Sequence, residues 1–144
     1  MIEIQNRKAK FDYEIIDTYE TGIVLTGTEI KSIRQGKANL KDSYCIIKNN
    51  EIYVLNMHIS SYDHGNIFNH EETRDRKLLL HKNEILKLLN YTKQGGYTLV
   101  PSKIYTVGRW VKLELCVCIG KKLYDKREAL KEKDAKKQIN AFKI

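Results

Sequence analysis

The sequence lacks the features that define membrane-spanning, secreted and disulfide-rich proteins. No apolar run approaches the roughly 20 residues that a membrane-spanning helix needs, and the N-terminal segment MIEIQNRKAK lacks the apolar stretch of a signal peptide. Three cysteines are an odd number, which fits free thiols in a reducing compartment better than a disulfide framework. We therefore expect a cytoplasmic protein with no membrane partner.

Signatures of metal and nucleotide binding are missing as well. Cys116 and Cys118 lie two apart in LELCVCI, on one face of a predicted strand, but no second pair completes a zinc site. The patterns G-x-x-x-x-G-K-[ST], G-x-G-x-x-G and G-x-S-x-G do not occur. The residues thus predict no cofactor, no metal site and no catalytic residue, and we expect the cysteines to be buried structural thiols.

Four histidines are the remaining candidates for chemistry: His58, His64, His70 and His81. Imidazole is a common metal ligand and proton carrier, but none of the four belongs to an HxH or HExxH arrangement. A small RNA hydrolase that uses these histidines is the enzymatic alternative. We expect them instead to form hydrogen bonds or to contact RNA.

What the sequence has in excess is positive charge. Twenty-six Lys and Arg against 18 Asp and Glu give a net charge of +8, which attracts polyanions such as RNA, DNA or an anionic membrane. Residues 121–144 hold nine basic and four acidic residues, whereas residues 1–120 hold 17 and 14. The chain is therefore divided into a body, residues 1–120, and a basic tail, residues 121–144.

Strand-like segments dominate the body. Six of them are rich in Tyr, Val, Ile and Leu with partial period-two alternation: YEIIDTY, GIVLTG, DSYCIIK, EIYVLNMHI, YTLVPSKIY and WVKLELCVCI. Tight turns at residues 48–51 and 106–109 predict two antiparallel hairpins. Pro101, the only proline, falls within a strand pattern and predicts an edge or bulge position.

Two short helices are predicted among these strands. The first begins at Thr28, as its cap, and ends at Gly36. The second covers about residues 82–93, and its core side is formed by residues at helical spacing, Ile85, Leu88, Leu89 and Thr92.

Residues 60–76 have no regular period and predict a long exposed loop. The pattern favours a mainly β protein, a small antiparallel oligonucleotide-binding-like β-barrel with two or three short helices.

The tail has a helix-friendly composition but little apolar surface. Helix nucleation is costly, and a segment of this length and charge buries too little surface to order itself in water. We expect it to be disordered in isolation and to become helical on binding.

Two basic clusters in the body are candidates for RNA contact. Lys31 and Arg34 are three residues apart on the first predicted helix and share a side, with Lys37 just beyond its end. The other cluster precedes the first predicted strand and contains Asn6, Arg7, Lys8 and Lys10. An ordinary solvated helix face is the alternative interpretation of the first cluster.

Longer strings in the sequence resemble the small protein B family, the transfer-messenger RNA-binding proteins of bacterial trans-translation. The matching strings occur in family order from about Asn6 to Phe142: NRKAKFDYEI, YETGIVLTGTEIKSIRQGKANLKDSY, NMHIS, RKLLLHKNEI, GYTLVPSKIY, VKLEL and GKKLYDKRE. GTEIKSIRQGKANLKDSY and GKKLYDKRE are too long and unusual for a chance match.

The resemblance implies an adaptor, not an enzyme, whose barrel binds the tRNA-like domain of transfer-messenger RNA as a monomer. Its tail would enter the decoding centre and messenger channel of a stalled ribosome, which leads to tagging of the nascent chain. The family's RNA-binding positions match Asn6, Lys8, Lys10, Glu20, Lys31, Arg34, Lys37, Asn39 and Lys112. Its ribosome-binding positions match Lys121, Lys122, Tyr124, Asp125, Lys126 and Arg127.

Three positions are unusual within this resemblance. Glu20 is unusual on a surface for polyanions, but a carboxylate can accept hydrogen bonds from base amino groups or orient a neighbouring cation. Phe11 and Tyr124 stand where relatives often carry a polar or histidine residue. A general RNA-binding barrel, such as an initiation-factor-like or ribosomal protein, remains the alternative within the binding class.

Overall fold

The computed structural model describes residues 2–62 and 69–120. This part contains nine strands and three helices, in the order β1 Glu3–Gln5, α1 Arg7–Asp12, β2 Tyr13–Ile23, α2 Gly27–Arg34, β3 Ala38–Asn39, β4 Tyr44–Lys48, β5 Glu51–Leu55, β6 His58–Ile59, β7 Arg76–Leu79, α3 Lys82–Gln94, β8 Thr98–Val107 and β9 Trp110–Gly120. The predicted tail and His64 lie outside the described residues.

Six of the strands form a closed antiparallel ring. Its order is β8, β4, β5, β7, β2 and β9, and β9 pairs back with β8, while β1 adds to β8 from outside. β3 and β6 form a separate two-stranded sheet. The predicted mainly β, barrel-like architecture with short helices is thereby confirmed.

The predicted turns are confirmed at both hairpins. Lys48 pairs with Glu51 across Asn49 and Asn50, which have φ values of 54° and 61°, the left-handed backbone that two-residue hairpins need and that asparagine tolerates. Gly108, with a φ of 58°, lies in the turn between β8 and β9. These local turn preferences fix the register of the strands on either side.

A β-bulge at Pro101 is also confirmed. The register of β8 against β9 shifts between Pro101 and Lys103. Because proline has no N–H to donate to a strand neighbour, an interruption of the pairing accommodates it.

Two of the predicted strands are wrong in their limits. GIVLTG is no separate strand, since β2 continues to Ile23 and the chain then turns into α2. EIYVLNMHI is divided into β5 and β6 at Asn56, where φ is 60°. The predicted exposed loop over residues 60–76 also ends too late, because Arg76 begins β7 and is wholly buried.

The three helices agree with the prediction to different degrees. α2 is capped by Thr26, not Thr28, in a reciprocal capping box with Glu29. α3 was predicted within one residue, but Thr92 is exposed and Tyr91 packs on the core instead. α1 was missed, since its six residues offer no helical apolar repeat; the side chain of Asn6 caps it by accepting a hydrogen bond from Ala9 N at 3.2 Å.

The core fills the ring and holds both longer helices against it. Ile33 of α2 and Leu88 of α3 are wholly buried in the same cluster as the inward residues of the strands: Ile52, Val54, Leu78, Ile104, Leu113, Leu115 and Val117. Cys116 and Cys118 pack with Val100 under α1, and both are buried free thiols, as predicted. Among the described helices, none is long and apolar enough to cross a membrane.

Candidate RNA-binding surface

The predicted RNA-binding residues of the body occupy three regions. We call them the α1 cluster, with Asn6, Lys8 and Lys10; the α2 cluster, with Lys31, Arg34, Lys37 and Asn39; and the sheet face, with Glu20 and Lys112. Their local partners decide how much of each charge faces solvent.

Asn6 anchors the α1 cluster from below. It is only 5% exposed, and its side-chain amide donates to the carbonyl oxygens of Pro101 at 2.9 Å and Leu40 at 3.2 Å. Its backbone N–H donates to the carbonyl of Ser102 at 2.8 Å. Asn6 therefore ties the start of α1 to β8 and to the segment before β4, and its amide has little surface left for a ligand.

The two lysines of the α1 cluster have polar partners of their own. Lys8 Nζ lies 3.2 Å from Asp42 Oδ1, and this carboxylate raises the pKa of Lys8. Lys10 Nζ donates to Gln5 Oε1 at 3.1 Å. Lys8 and Asp42 also line an open cleft of about 330 Å³ between α1 and the start of β4. This region is thus polar, but its positive charge is partly compensated.

The two helix cations of the α2 cluster contact an aromatic ring and a backbone carbonyl. Lys31 and Arg34 are exposed in the last turn of the helix, where cations interact favourably with the carbonyl end of the helix dipole. Lys31 Nζ lies 5.4 Å from the centre of the Tyr62 ring, and Arg34 Nη2 donates to the carbonyl of Arg109 at 3.0 Å. In the described residues neither cation forms an ion pair with a carboxylate. Their charge is therefore available to a polyanion.

Lys37 and Asn39 extend this cluster beyond the helix. Lys37 N donates to Ser32 O at 2.9 Å, and Lys37 O accepts from Ser60 N at 3.0 Å. Asn39 lies exposed in β3 and accepts from Lys41 N at 2.8 Å. The backbone of this segment is thus fixed between α2 and β6.

A buried ionic cluster that the sequence did not predict supports α2 from within. Glu29 and Arg76 are wholly buried and form an ion pair, and Arg74 Nη2 lies 2.5 Å from Glu29 Oε1. Arg76 also donates to Met57 O at 2.7 Å. The T-G-T-E string was a visible sign of the cap, but nothing in the sequence identified the arginine partners.

The pKa of Glu29 reflects two opposing effects. Burial opposes its ionisation, but hydrogen bonds from Arg74, from the backbone of Thr26 and from Arg76 outweigh burial and lower the pKa. Glu29 is therefore a buried carboxylate whose charge is fully compensated, and it positions α2 without reaching the surface.

The described histidines have structural partners. His70 Nε2 donates to Ile59 O at 2.8 Å, so its Nδ1 accepts from the Thr28 hydroxyl, also at 2.8 Å. His58 Nε2 lies 3.5 Å from Glu72, and His81 is the N-cap residue of α3. Within the described ranges no three His, Cys, Asp or Glu side chains are grouped to hold a metal ion.

On the sheet face, Glu20 is held by a tyrosine. The Tyr105 hydroxyl donates to Glu20 Oε2, and burial together with this hydrogen bond raises the pKa of Tyr105. Lys112 lies between Gly22 of β2 and Tyr105 of β8 in the strand register. Glu20 and Lys112 are thus brought to the same outer surface of three neighbouring strands, which sequence spacing did not reveal.

The chain is similar to known proteins over almost its whole length. The family model described as "SmpB protein" matches residues 3–143. The SsrA-binding protein of Clostridium acetobutylicum is 60% identical over 135 residues, which cover 94% of this chain and 87% of that protein. The SsrA-binding protein of Clostridium botulinum strain Hall is 60% identical over 136 residues, with the same shares covered.

A solved structure is similar over nearly the whole chain. It is described as "tmRNA-SmpB: a journey to the center of the bacterial ribosome". The similarity has a TM-score of 0.74 at 43% sequence identity and covers 90% of this chain and 95% of the other. The structural similarity and the sequence similarity therefore indicate the same family.

Proposed function

Because the chain belongs to the SmpB protein family, we propose that it is an RNA-binding adaptor that binds the tRNA-like domain of transfer-messenger RNA and delivers it to stalled ribosomes for trans-translation. The family match over residues 3–143 is the observation on which this proposal depends. It acts in the bacterial cytoplasm, as a monomer in its RNA complex, and makes or breaks no bond itself.

The α2 cluster is the main contact of the body in this proposal. Lys31 and Arg34 have no carboxylate partner among the described residues, and they lie on a helix that the buried Glu29 cluster fixes to the ring. Phosphate contacts determine the register of an RNA on a protein, and rigid cations serve this purpose best. Lys37, Asn39 and Lys112 extend the contact, while Asn6 positions α1 so that Lys8 and Lys10 meet the RNA.

Glu20 fits the first of its two predicted roles, as an acceptor for a base amino group, with one oxygen only. One carboxylate oxygen accepts from Tyr105, and the exposed side chain leaves the other for a base amino group. Its position beside Tyr105 and Lys112 therefore supports a specific contact rather than general attraction.

Competition binding tests the partner. A gel shift with labelled transfer-messenger RNA is challenged with the unlabelled RNA, with ordinary tRNA and with an unrelated hairpin of equal length. We expect only the first to compete strongly. Equal competition by all three would favour the general RNA-binding barrel. Incubation of labelled RNA with pure protein tests the hydrolase alternative, and we expect no cleavage.

Truncation tests the division of labour between body and tail. A chain stopped at Gly120 retains every described strand of the ring, so we expect it to bind transfer-messenger RNA nearly as well as the full chain at physiological salt. It should not support tagging on stalled ribosomes, because the tail residues that match the ribosome-binding positions, Lys121, Lys122, Tyr124, Asp125, Lys126 and Arg127, are missing. A triple variant, Asp125, Lys126 and Arg127 all to Ala, should show the same separation. Full tagging by the truncated chain, or loss of its tight RNA binding, would contradict this mechanism.

A further inference from the structure

The tip of the β8–β9 hairpin exposes two large apolar side chains. Trp110, the only tryptophan of the chain, is 63% exposed, and Val107, its partner across the hairpin, is 48% exposed. Single exposed apolar residues are common, but an exposed Trp–Val pair at a rigid turn is informative because burying it would be favourable. No part of the fold described above uses this surface.

The direction of Trp110 is fixed by its strand. Val111 and Leu113 are buried, whereas Trp110, Lys112 and Glu114 alternate with them on the outer side of β9. Gly108, in the left-handed region, closes the turn. The indole ring therefore points outward at the hairpin tip, on the same side of β9 as Lys112.

One arginine contacts the Trp110 ring, and a second contacts the backbone beside it. The Arg109 guanidinium carbon lies 5.4 Å from the ring centre, and Arg34 of α2 donates to the Arg109 carbonyl at 3.0 Å. Among the described residues, neither arginine pairs with a carboxylate. Glu114 faces the same side as Trp110 but lies four residues further along β9, about 13 Å away by strand geometry.

An aromatic ring among arginines fits an unpaired nucleobase better than a protein surface. Bases stack on aromatic side chains and on guanidinium planes, and the neighbouring cations meet the phosphates on either side. A stable protein–protein interface needs about 800 Å² per partner, far more than Trp110 and Val107 offer. The charge of this surface also matches a polyanion.

We propose that Trp110 is a stacking platform for one unpaired base of the bound RNA, with Arg109 extending the stack and Arg34 and Lys112 contacting the adjoining phosphates. This inference rests on the proposed RNA-binding function and adds to it a contact that joins the α2 cluster to the sheet face.

The single tryptophan makes the test direct, because tryptophan emission, excited at a wavelength that the tyrosines do not absorb, reports this site alone. Titration with transfer-messenger RNA should change Trp110 fluorescence and protect it from iodide, with the same midpoint as a parallel gel shift. Trp110→Ala and Trp110→Leu should each weaken binding roughly 5- to 100-fold, the size expected for one stacked base. Trp110→Phe, which keeps an aromatic face, should retain most of the affinity.

Leu86→Ala is the matched control, since Leu86 is 57% exposed on α3 and lies in none of the three regions; its binding should not change. Circular dichroism verifies that each variant is folded.

If the gel shift shows tight binding while Trp110 emission and Trp110→Ala affinity stay unchanged, the stacking inference is wrong and the adaptor function stands. If wild type does not bind the RNA at all, the adaptor function itself fails. A fluorescence change that depends on protein concentration without RNA would assign the surface to a second copy and overturn the inference.

Discussion

The α1 and α2 clusters contain similar residues but differ in the groups that their charged side chains contact. Lys8 and Lys10 of the α1 cluster interact with Asp42 and Gln5, whereas Lys31 and Arg34 of the α2 cluster contact a tyrosine ring and a backbone carbonyl. Basic residues can therefore attract RNA fully only where nearby carboxylates do not already pair with them.

The two clusters also differ in what lies beneath them. α1 is held by a neutral amide, Asn6, through hydrogen bonds to Leu40 and Pro101. α2 is held by the buried ion pair of Glu29 and Arg76, with Arg74 at its edge. A charged anchor is the more vulnerable, since loss of one partner leaves the other charge buried and uncompensated.

The largest expected effect therefore follows from Glu29→Gln. The variant keeps the shape of the side chain but leaves Arg76 without its counter-ion, and we expect a loss of about 3 to 5 kcal/mol in the free energy of unfolding. Urea denaturation measures it. Glu51→Gln is the control, because Glu51 pairs with Lys77 at a solvent-exposed position, where ion pairs contribute little. Similar unfolding midpoints for both variants would contradict the role of the buried cluster.

The same carboxylate predicts how stability depends on pH. The pKa of Glu29 in the folded protein lies below its ordinary value of 4.5, so the charged cluster stabilises the fold above that value and its contribution is lost as the pH falls through the folded pKa. Urea midpoints of wild type should therefore decrease as the pH falls below 4.5. Glu29→Gln should show a shallower decrease over this range; parallel curves would assign the acid sensitivity to other groups.

Charge reversal compares the two surfaces in RNA binding. Lys31→Glu with Arg34→Glu should weaken binding of transfer-messenger RNA more than Lys8→Glu with Lys10→Glu, because Lys8 is already paired with Asp42, whereas neither Lys31 nor Arg34 has a carboxylate partner among the described residues. Each lost phosphate contact should also flatten the salt dependence by roughly 0.7 to 0.9 log units per log unit of salt. Gel shifts at several salt concentrations measure both quantities. Equal losses of affinity in the two double variants would show that local ion pairs do not determine how much each cluster contributes to RNA binding.

The smallest effect on RNA binding is expected at the base of α1. Asn6→Ala removes a helix cap, for which a loss of about 1 kcal/mol is typical, and it also removes the buried amide donor to Leu40 and Pro101, so the free energy of unfolding should fall by more than the cap alone accounts for. Thermal unfolding measures this loss. Asn6→Asp keeps the cap acceptor but places a carboxylate oxygen against the Leu40 and Pro101 carbonyl oxygens, so it should also lower the free energy of unfolding. RNA affinity should fall only modestly in either folded variant, since Asn6 is buried; a loss as large as that of the α2 double variant would place Asn6 in direct contact with RNA.

Local chemistry made part of this structure predictable from the sequence. The strand segments, the turns at Asn49–Asn50 and Gly108, the bulge at Pro101 and the length of α3 all depend on preferences that act within a few residues. The family resemblance named the partners, and the comparisons confirm the family. The residue-level assignments in the body and the tail remain predictions.

The sequence by itself determined the number of strong turns, the apolar periodicity and the excess of positive charge, because each is a property of neighbouring residues. Only the tertiary structure decided that Arg76 is buried against Glu29, 47 residues away, and that Arg34 meets the Arg109 backbone beside Trp110, 75 residues away. It likewise decided which lysines have carboxylate partners. Such pairings follow from closure of the strand ring, which brings distant segments together, and no pattern of neighbouring residues specifies them.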